Sequence, residues 1–139
     1  MDQVALKELM SYPVVEFAKG EQVLSLDSDA SYVYYLVEGN CMRQITTSTG
    51  EDLFFEEYMP GESVYALVGP YLKYTTATAD IGIGEMVALA PIRAHRLTSE
   101  EFDDFLDRHP QVMKELLHRL LDEYTTLVNN FVAKQKGQA

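Results

Sequence analysis

The chain has 139 residues, 47% of them apolar, which is the length of a single domain with enough apolar side chains for one core. Its formal net charge is −11. Affinity for DNA phosphates comes mainly from Lys and Arg, so this charge argues against direct nucleic-acid binding. The sequence has no apolar run long enough for a transmembrane helix and no secretory signal at its start. Cys41 is the only cysteine, which excludes an internal disulfide or a Cys-rich metal cluster and indicates a reducing cytoplasm.

The first element predicted is a short helix over residues 2–11, which a Tyr-Pro pair ends. From residue 14 to residue 97, short runs rich in Val, Ile, Tyr, Phe and Thr alternate with glycine turns. Gly39, Gly50 and Gly61 are 11 residues apart. This spacing is typical of an antiparallel sandwich or barrel. The strands predicted from apolar runs include residues 33–37 and 52–58 and the segment 83–97.

Helical signals return after the strands. The tetrapeptide Thr98-Ser99-Glu100-Glu101 has the pattern of a capping box, in which the Thr and the second Glu satisfy each other's backbone amides. His109-Pro110 ends this helix, and a proline suits the first turn of the next one. We therefore predict a third, long helix over residues 110–133, followed by a polar tail over residues 134–139.

The long helix carries two apolar faces. One face follows a heptad pattern with gaps of four, three, four, three and four residues. Leu116, Leu121 and Val128 add a second apolar flank, so the helix has more apolar surface than one neighbour would cover. We predict that the flank packs on the chain's own β-domain and that the heptad seam forms a two-fold homodimer. The alternative is a single amphipathic helix lying on the barrel. The predicted seam consists of Met113, Leu117, Leu120, Tyr124, Leu127 and Phe131.

Four short motifs occur in one order along nearly the whole chain. They are Phe17-Ala18-Lys19-Gly20-Glu21, Val33-Tyr34-Tyr35-Leu36-Val37-Glu38-Gly39, Pro60-Gly61-Glu62, and Leu97-Thr98-Ser99-Glu100-Glu101-Phe102 with His109-Pro110. In this order they resemble the cyclic-nucleotide-binding sensor domain of the Crp/Fnr family of bacterial regulators. The resemblance implies a mainly β fold with flanking helices. Residues 1–109 would form a double-stranded β-helix, which is a cupin-like jelly roll or β-roll, together with the N-terminal helix. A dimerisation helix over residues 110–133 would follow it.

The departures from the family pattern concern the ligand. In the family's cyclic-nucleotide binders, a Glu after the Pro-Gly-Glu turn holds the ribose and a later Arg holds the phosphate. Here Ala66 stands in place of that Glu, the counted position of the Arg falls near Gly82, and no Arg occurs between residues 44 and 92. The helix pair that would meet the base falls on Leu127 and Val128. Because an uncompensated buried phosphate costs several kcal/mol, we predict that the chain binds neither cyclic AMP nor cyclic GMP.

Other chemistries known on this fold lack their residues. A cupin metal site needs two His one residue apart, and His95 is the only His in the predicted roll. His109 is the helix-break residue and His118 lies beside the heptad seam, so neither is a natural haem ligand. Patterns for catalytic triads, paired carboxylates and phosphate loops are also missing. We therefore expect no metal, no cofactor and no catalytic residues.

Aromatic and apolar residues gather where the resemblance would place the ligand. Concave apolar sites with a few hydroxyl groups suit small apolar or aromatic molecules. We predict such an effector, neutral or weakly charged, between the roll and the dimer helix. The alternative is that these side chains simply fill the core. The predicted ligand-binding residues are Val64, Tyr65, Ala66, Leu67, Tyr71, Ile83, Met86 and Tyr124.

The function expected from this reasoning is effector sensing and dimerisation in a Crp/Fnr-like transcription regulator of the cytoplasm, with no membrane partner. In that family a helix-turn-helix domain follows the long helix and contacts DNA. The sequence ends at Ala139 without one. It is therefore read either as the sensor part of such a regulator or as a stand-alone β-roll that binds a small molecule or a protein.

Overall fold

A computed structural model of the chain describes residues 1–24, 32–46, 50, 52–70 and 86–137. Within these ranges, none of the helices combines the length and the hydropathy needed to cross a membrane. The helices are α1 Gln3–Leu9, α2 Ser99–Arg108 and α3 Pro110–Gly137, with a 3₁₀ turn at Val64–Ala66. The strands are β1 Val14–Phe17, β2 Gln22–Leu24, β3 Tyr32–Glu38, β4 Cys41–Thr46, β5 Asp52–Tyr58, β6 Leu67–Val68, β7 Met86–Ala88 and β8 Ile92–Thr98.

The described strands form two antiparallel sheets of four strands each. One has the order β1-β8-β3-β6 and the other the order β2-β7-β4-β5. Buried side chains from both sheets and from all three helices make one continuous hydrophobic core. The predicted fold class, mainly β and jelly-roll-like with a long C-terminal helix, is confirmed.

Strand β3 is central, as its continuous apolar sequence predicts. It pairs with β8 on one side and β6 on the other, and residues 33–36 are buried on both faces. The turn that follows β3 needs glycine at position 39. Gly39 has a φ of 78°, and a Cβ there would overlap the carbonyl oxygen of Pro91 in the turn between β7 and β8. The two turns therefore pack backbone against backbone.

Helix α1 is tied to the junction of α2 and α3. The Asp2 side chain caps α1 by accepting from the Ala5 amide at 2.9 Å. At the other end, Arg108 donates through Nε and Nη2 to the two carboxylate oxygens of Glu8, at 2.9 and 3.1 Å. His109 Nε2 lies 3.5 Å from the same carboxylate. The predicted helix over residues 2–11 is present but shorter.

Helix α2 begins with the predicted capping box. Thr98 Oγ1 accepts from the Glu101 amide at 3.1 Å, and Glu101 Oε1 accepts from the Thr98 amide at 2.9 Å. Phe102 and Phe105 are buried, with ring centroids 5.9 Å apart. His109 ends the helix and Pro110 starts α3, so the predicted break is confirmed.

The end of α3 differs from the prediction. The helix continues to Gly137, whereas a polar tail was expected from residue 134. Lys134 and Lys136 explain the extension, because lysine is a good helix former and its charge interacts favourably with the C-terminal end of the helix dipole.

The face that α3 turns toward the roll also differs from the prediction. Val112 and Leu116 are buried there, as expected of a packed flank, but Leu121 and Val128 are 53% and 38% exposed. Beyond Leu116, the buried positions of α3 are Arg119 and, four residues later, Glu123. Next to this part of α3, the roll presents two backbone carbonyls and the buried carboxyl group of Glu56. Charged side chains of α3 therefore contact the roll here instead of apolar ones.

Candidate functional site

Arg119 is the most deeply buried charged residue among those the structure describes, with 2% of its surface exposed. Its Nη1 donates to the carbonyl oxygen of Val64 at 2.6 Å and to that of Leu67 at 2.8 Å. The Val64 carbonyl is at the start of the 3₁₀ turn, and the Leu67 carbonyl is at the start of β6, which directly follows the turn. One guanidinium from α3 therefore holds both ends of the segment for which ligand binding was predicted.

Three further charged groups surround this guanidinium. Arg119 Nε donates to Glu123 Oε1 at 2.9 Å, a pair one helical turn apart on the same face of α3. Glu56 Oε1 lies 4.0 Å from the same nitrogen. Arg43 Nη2 lies 3.7 Å from Glu56 Oε2 and 3.5 Å from Glu123 Oε2. Tyr58 donates its hydroxyl to Glu56 Oε2 at 2.9 Å. We call Arg43, Glu56, Tyr58, Arg119 and Glu123 the Arg119 cluster.

Strand register brings the roll's share of the Arg119 cluster together. Arg43 on β4 lies directly opposite Glu56 on β5, and side chains of directly paired residues lie on the same face of a sheet. Tyr58 is two residues after Glu56 and therefore shares that face. The cluster thus joins β4, β5, the 3₁₀ turn and α3.

Aromatic rings complete the surroundings of Arg119. Its guanidinium carbon lies 4.7 Å from the ring centroid of Tyr58 and 5.3 Å from that of Tyr65. Cation–π contacts of this kind are stronger when the cation is desolvated. Tyr58 is almost fully buried, while Tyr65 is 39% exposed. Tyr65 therefore lies between the buried cluster and the solvent.

The carboxyl group of Glu56 has an unusual protonation equilibrium. Burial, hydrogen bonding with Glu123 and the negative charge of Glu123 together raise its pKa to about 7, while Arg119 and Tyr58 oppose the change. Burial also raises the pKa of the Tyr58 hydroxyl. Cys41, on the neighbouring strand, has a pKa raised to about 12 by burial, so its thiol stays protonated and unreactive.

The predicted ligand-binding residues occupy several environments. Val64, Ala66 and Leu67 are buried, and the side chain of Ser63 caps their turn by accepting from the Tyr65 amide at 3.1 Å. Among the predicted residues that the structure describes, Val64, Leu67 and Tyr65 contact Arg119 through the bonds and ring contact given above. Met86 is buried on β7, directly opposite Arg43 of the cluster in the β4–β7 pairing, and Tyr124 is 65% exposed on α3. Tyr71 and Ile83 lie outside the described residues. Their role in ligand binding stays a prediction.

The predicted dimer seam is on the surface of the described chain. Met113, Leu117, Leu120, Tyr124 and Phe131 are between 40% and 65% exposed, and Leu127 is half-buried. An apolar groove of about 220 Å³ lies beside the first half of the seam, between α2 and α3. It is lined by Pro70, Phe102, Asp103, Leu106, Met113, Leu116, Leu117 and Leu120.

Sequence reasoning missed the Arg119 cluster. The resemblance places a phosphate-binding arginine between residues 44 and 92, and both arginines of the cluster lie outside that range. One signal was available: Val112, Leu116, Arg119 and Glu123 follow each other at gaps of four, three and four residues. Such a stripe shares one helix face. Within the described ranges, three or more His, Cys, Asp or Glu side chains nowhere form a group able to hold a metal ion.

The fold of the chain is similar to that of several regulators of known structure. A transcriptional regulator from Thermotoga maritima matches with a TM-score of 0.66 and 20% identity, over 94% of this chain and 95% of the other. The sensor domain of the transcriptional regulator DNR from Pseudomonas aeruginosa matches with a TM-score of 0.58 and 19% identity, over 93% and 83%. The c-di-GMP-responsive global regulator CLP from Xanthomonas campestris matches with a TM-score of 0.67 and 11% identity, over 92% and 62%.

At these identities the likeness is one of fold, and it confirms the resemblance that the sequence motifs carry. No protein-family model matches the sequence, and no curated protein sequence is significantly similar to it.

Replacing Arg119 with methionine tests the structural importance of the cluster. The substitution removes the donor to the Val64 and Leu67 carbonyls and leaves Glu123 with one cation fewer, so we expect a loss of about 3–5 kcal/mol in the free energy of unfolding. Urea denaturation followed by circular dichroism measures it. The matched control is Arg108→Met, which breaks the exposed ion pair with Glu8 and should cost much less. Equal losses in the two variants would contradict the buried cluster.

The raised pKa of Glu56 predicts a pH dependence of stability. Its value is about 7 in the folded chain and 4.5 without the fold, so between these values the folded state binds more protons than the unfolded state. The contribution of Glu56 to stability is therefore complete below about pH 4.5 and is lost as the pH rises through about 7. The wild-type free energy of unfolding, minus that of Glu56→Gln, should fall by about 1–3 kcal/mol across this range. A flat or rising difference in urea titrations would contradict the assignment.

Proposed function

We propose that the chain is the effector-sensing and dimerisation domain of a Crp/Fnr-like transcription regulator that works without cyclic nucleotide. Its fold neighbours described as transcriptional regulators support the regulatory role. Contact with DNA would be made by a separate helix-turn-helix domain, since this part of the protein carries a net charge of −11. The role is non-enzymatic, and we place the protein in the cytoplasm.

The observation that carries the proposal is the bonding of Arg119. A phosphate-binding guanidinium needs donors that are free to reach the ligand, whereas Arg119 already gives Nη1 to two carbonyls and Nε to Glu123. Ala66, at the position where the resemblance expects the ribose-binding Glu, is fully buried. A cyclic nucleotide would have to displace these internal bonds and would meet the carboxyl groups of Glu56 and Glu123.

Dimerisation through α3 is the second part of the proposal. The helix has 28 residues and is therefore about 42 Å long, and one face of it contacts the roll. The heptad seam lies on another face and exposes large apolar side chains along most of that length. A contiguous exposed apolar stripe of this size indicates an interface, and a second copy of the helix has the matching heptad pattern.

The third part concerns the effector, which we propose is small and apolar or aromatic. Tyr65 supports this, because it is partly exposed and its ring contacts Arg119. A ligand stacking on Tyr65 would act on Arg119, which links the 3₁₀ turn to α3. The remaining proposed ligand-binding residues are Val64, Ala66, Leu67, Tyr71, Ile83, Met86 and Tyr124.

Titration calorimetry with cyclic AMP and cyclic GMP tests the first part. We expect no binding heat at micromolar nucleotide, because Arg119 is committed to protein acceptors. A regulator that does bind cyclic AMP, run under the same conditions, is the positive control. Saturable heat with either nucleotide would overturn the proposal that the chain works without cyclic nucleotide.

Sedimentation of a seam variant tests the second part. Leu120→Asp places a charge in the middle of the seam, so we expect the wild type to sediment as a dimer and this variant as a monomer. Asn129→Asp is the matched control, because it adds the same charge at an exposed position of α3 outside the seam and should leave the dimer intact. A Leu120→Asp variant that stays dimeric would refute the seam, and a monomeric wild type would favour a stand-alone binding module.

A further inference from the structure

We infer that the Arg119 cluster is a proton-controlled link, in which a proton shared by Glu56 and Glu123 holds α3 and the residue 64–67 segment to the roll. Loss of that proton to solvent weakens the link. The inference deepens the proposed function, because it makes the proton an effector of the same site. It rests on the proposed function only for the regulatory meaning of the proton signal.

The surroundings of Glu56 make its carboxyl group sensitive to charge. Titratable and charged groups face it from each described element that packs around it. They are Tyr58 on β5, Cys41 and Arg43 on β4, Tyr65 on the 3₁₀ turn, and Arg119 and Glu123 on α3.

A proton between Glu56 and Glu123 follows from their contact. The two carboxyl groups converge on the same nitrogens, at 3.7 and 3.5 Å from Arg43 Nη2 and at 4.0 and 2.9 Å from Arg119 Nε, and each side chain is only 10% exposed. Hydrogen bonding with Glu123 is among the causes that raise the pKa of Glu56. Two ionised carboxylates cannot donate to one another, so the bond exists only when one of them carries a proton. Carboxyl pairs that share a site in this way hold one proton more tightly than an isolated group does.

The charge balance shows what changes when the proton leaves. With Glu56 protonated, the two arginines face one carboxylate and the hydrogen bond joins β5 directly to α3. With Glu56 ionised, the two carboxylates match the two arginines in number, but the bridging proton is gone and the two buried negative charges repel each other. The raised pKa of about 7 means that both states are populated around neutral pH.

Arg119 transmits this change to the 3₁₀ turn. Its Nε lies 4.0 Å from Glu56 Oε1, too long for a hydrogen bond, while Nη1 bonds the carbonyls of Val64 and Leu67. An ionised Glu56 attracts the guanidinium and so competes with both carbonyls for it. Because Leu120 of the seam follows Arg119 directly, such a movement also acts on the proposed dimer helix.

Two NMR measurements on the full chain test the inference. The first is a pH titration of the glutamate carboxyl carbons, with Glu56 assigned by its absence in Glu56→Gln. We expect a midpoint near 7 for Glu56 and a shift of that midpoint toward acid in Glu123→Gln, which removes the neighbouring negative charge. A wild-type midpoint near the ordinary value of 4.5 would overturn the inference, as would a midpoint that does not move in Glu123→Gln.

The second measurement is amide hydrogen exchange at Tyr65, Ala66 and Leu67, whose N–H groups donate within the segment. After correction for the intrinsic pH dependence of exchange, wild-type protection should fall at least about tenfold between about pH 6 and about pH 8. Glu56→Gln keeps an amide donor toward Glu123 and cannot ionise, so its protection should stay constant. Glu57→Gln, an exposed neighbour on β5 that leaves Glu56 in place, should keep the wild-type profile. Identical profiles for the wild type and Glu56→Gln would overturn the link.

These outcomes separate the link from the proposed function. Titration and exchange are measured at the cluster itself and do not require a dimer or an effector. A monomeric wild type or a cyclic nucleotide that binds would remove the proposed function and leave the proton measurements unchanged. An unchanged exchange profile would remove the proton control, while the seam and the calorimetric result would stand.

Discussion

The burial of a single arginine determines how the two halves of this structure fit together. A guanidinium with 2% of its surface exposed needs acceptors for its donors and an opposite charge nearby, because desolvation otherwise costs several kcal/mol. The roll provides the carbonyls of Val64 and Leu67, and α3 provides Glu123. These bonds have defined lengths and directions, so they fix the position of α3 on the roll more narrowly than apolar contacts would.

The same requirement explains the two faces of α3. Its inward face is apolar where it meets the core at Val112 and Leu116, and charged where it meets the 3₁₀ turn. Its outward face keeps the heptad seam. The apolar side chains at Leu121 and Val128 are therefore not needed against the roll and remain on the surface. A helix with this division of faces can keep its own fold and still offer a separate surface to a second copy.

What the sequence predicts well is local, and what it misses depends on contacts between distant residues. The capping box at Thr98, the break at His109-Pro110 and the strand around Tyr34 are decided within a few residues, and all three are present. The antiparallel sandwich or barrel follows from the glycine spacing and the strand texture, and its jelly-roll form is what the family resemblance implies. Arg119 is 55 residues from Val64, and an arginine on a helix is by default a solvent-exposed residue. The stripe that Arg119 shares with Leu116 and Glu123 indicates one helix face. The strand and turn residues that bury Arg119 are brought to it by the fold, and that stripe does not encode them.

The Arg119 cluster also gives a physical reason why the residue 64–67 segment can keep its position without the Glu that the resemblance leads us to expect at position 66. Val64, Ala66 and Leu67 of the residue 64–67 segment are buried, and buried carbonyl groups require hydrogen-bond donors whether or not a ligand is present. The 3₁₀ turn itself gives Val64 one donor, the Leu67 amide. Arg119 adds a second donor to Val64 and one to Leu67. Because that donor belongs to the protein, the segment is held to α3 without a bound molecule. Under the proposed function, an effector would act by changing the charges around Arg119 or the ring of Tyr65 that contacts it.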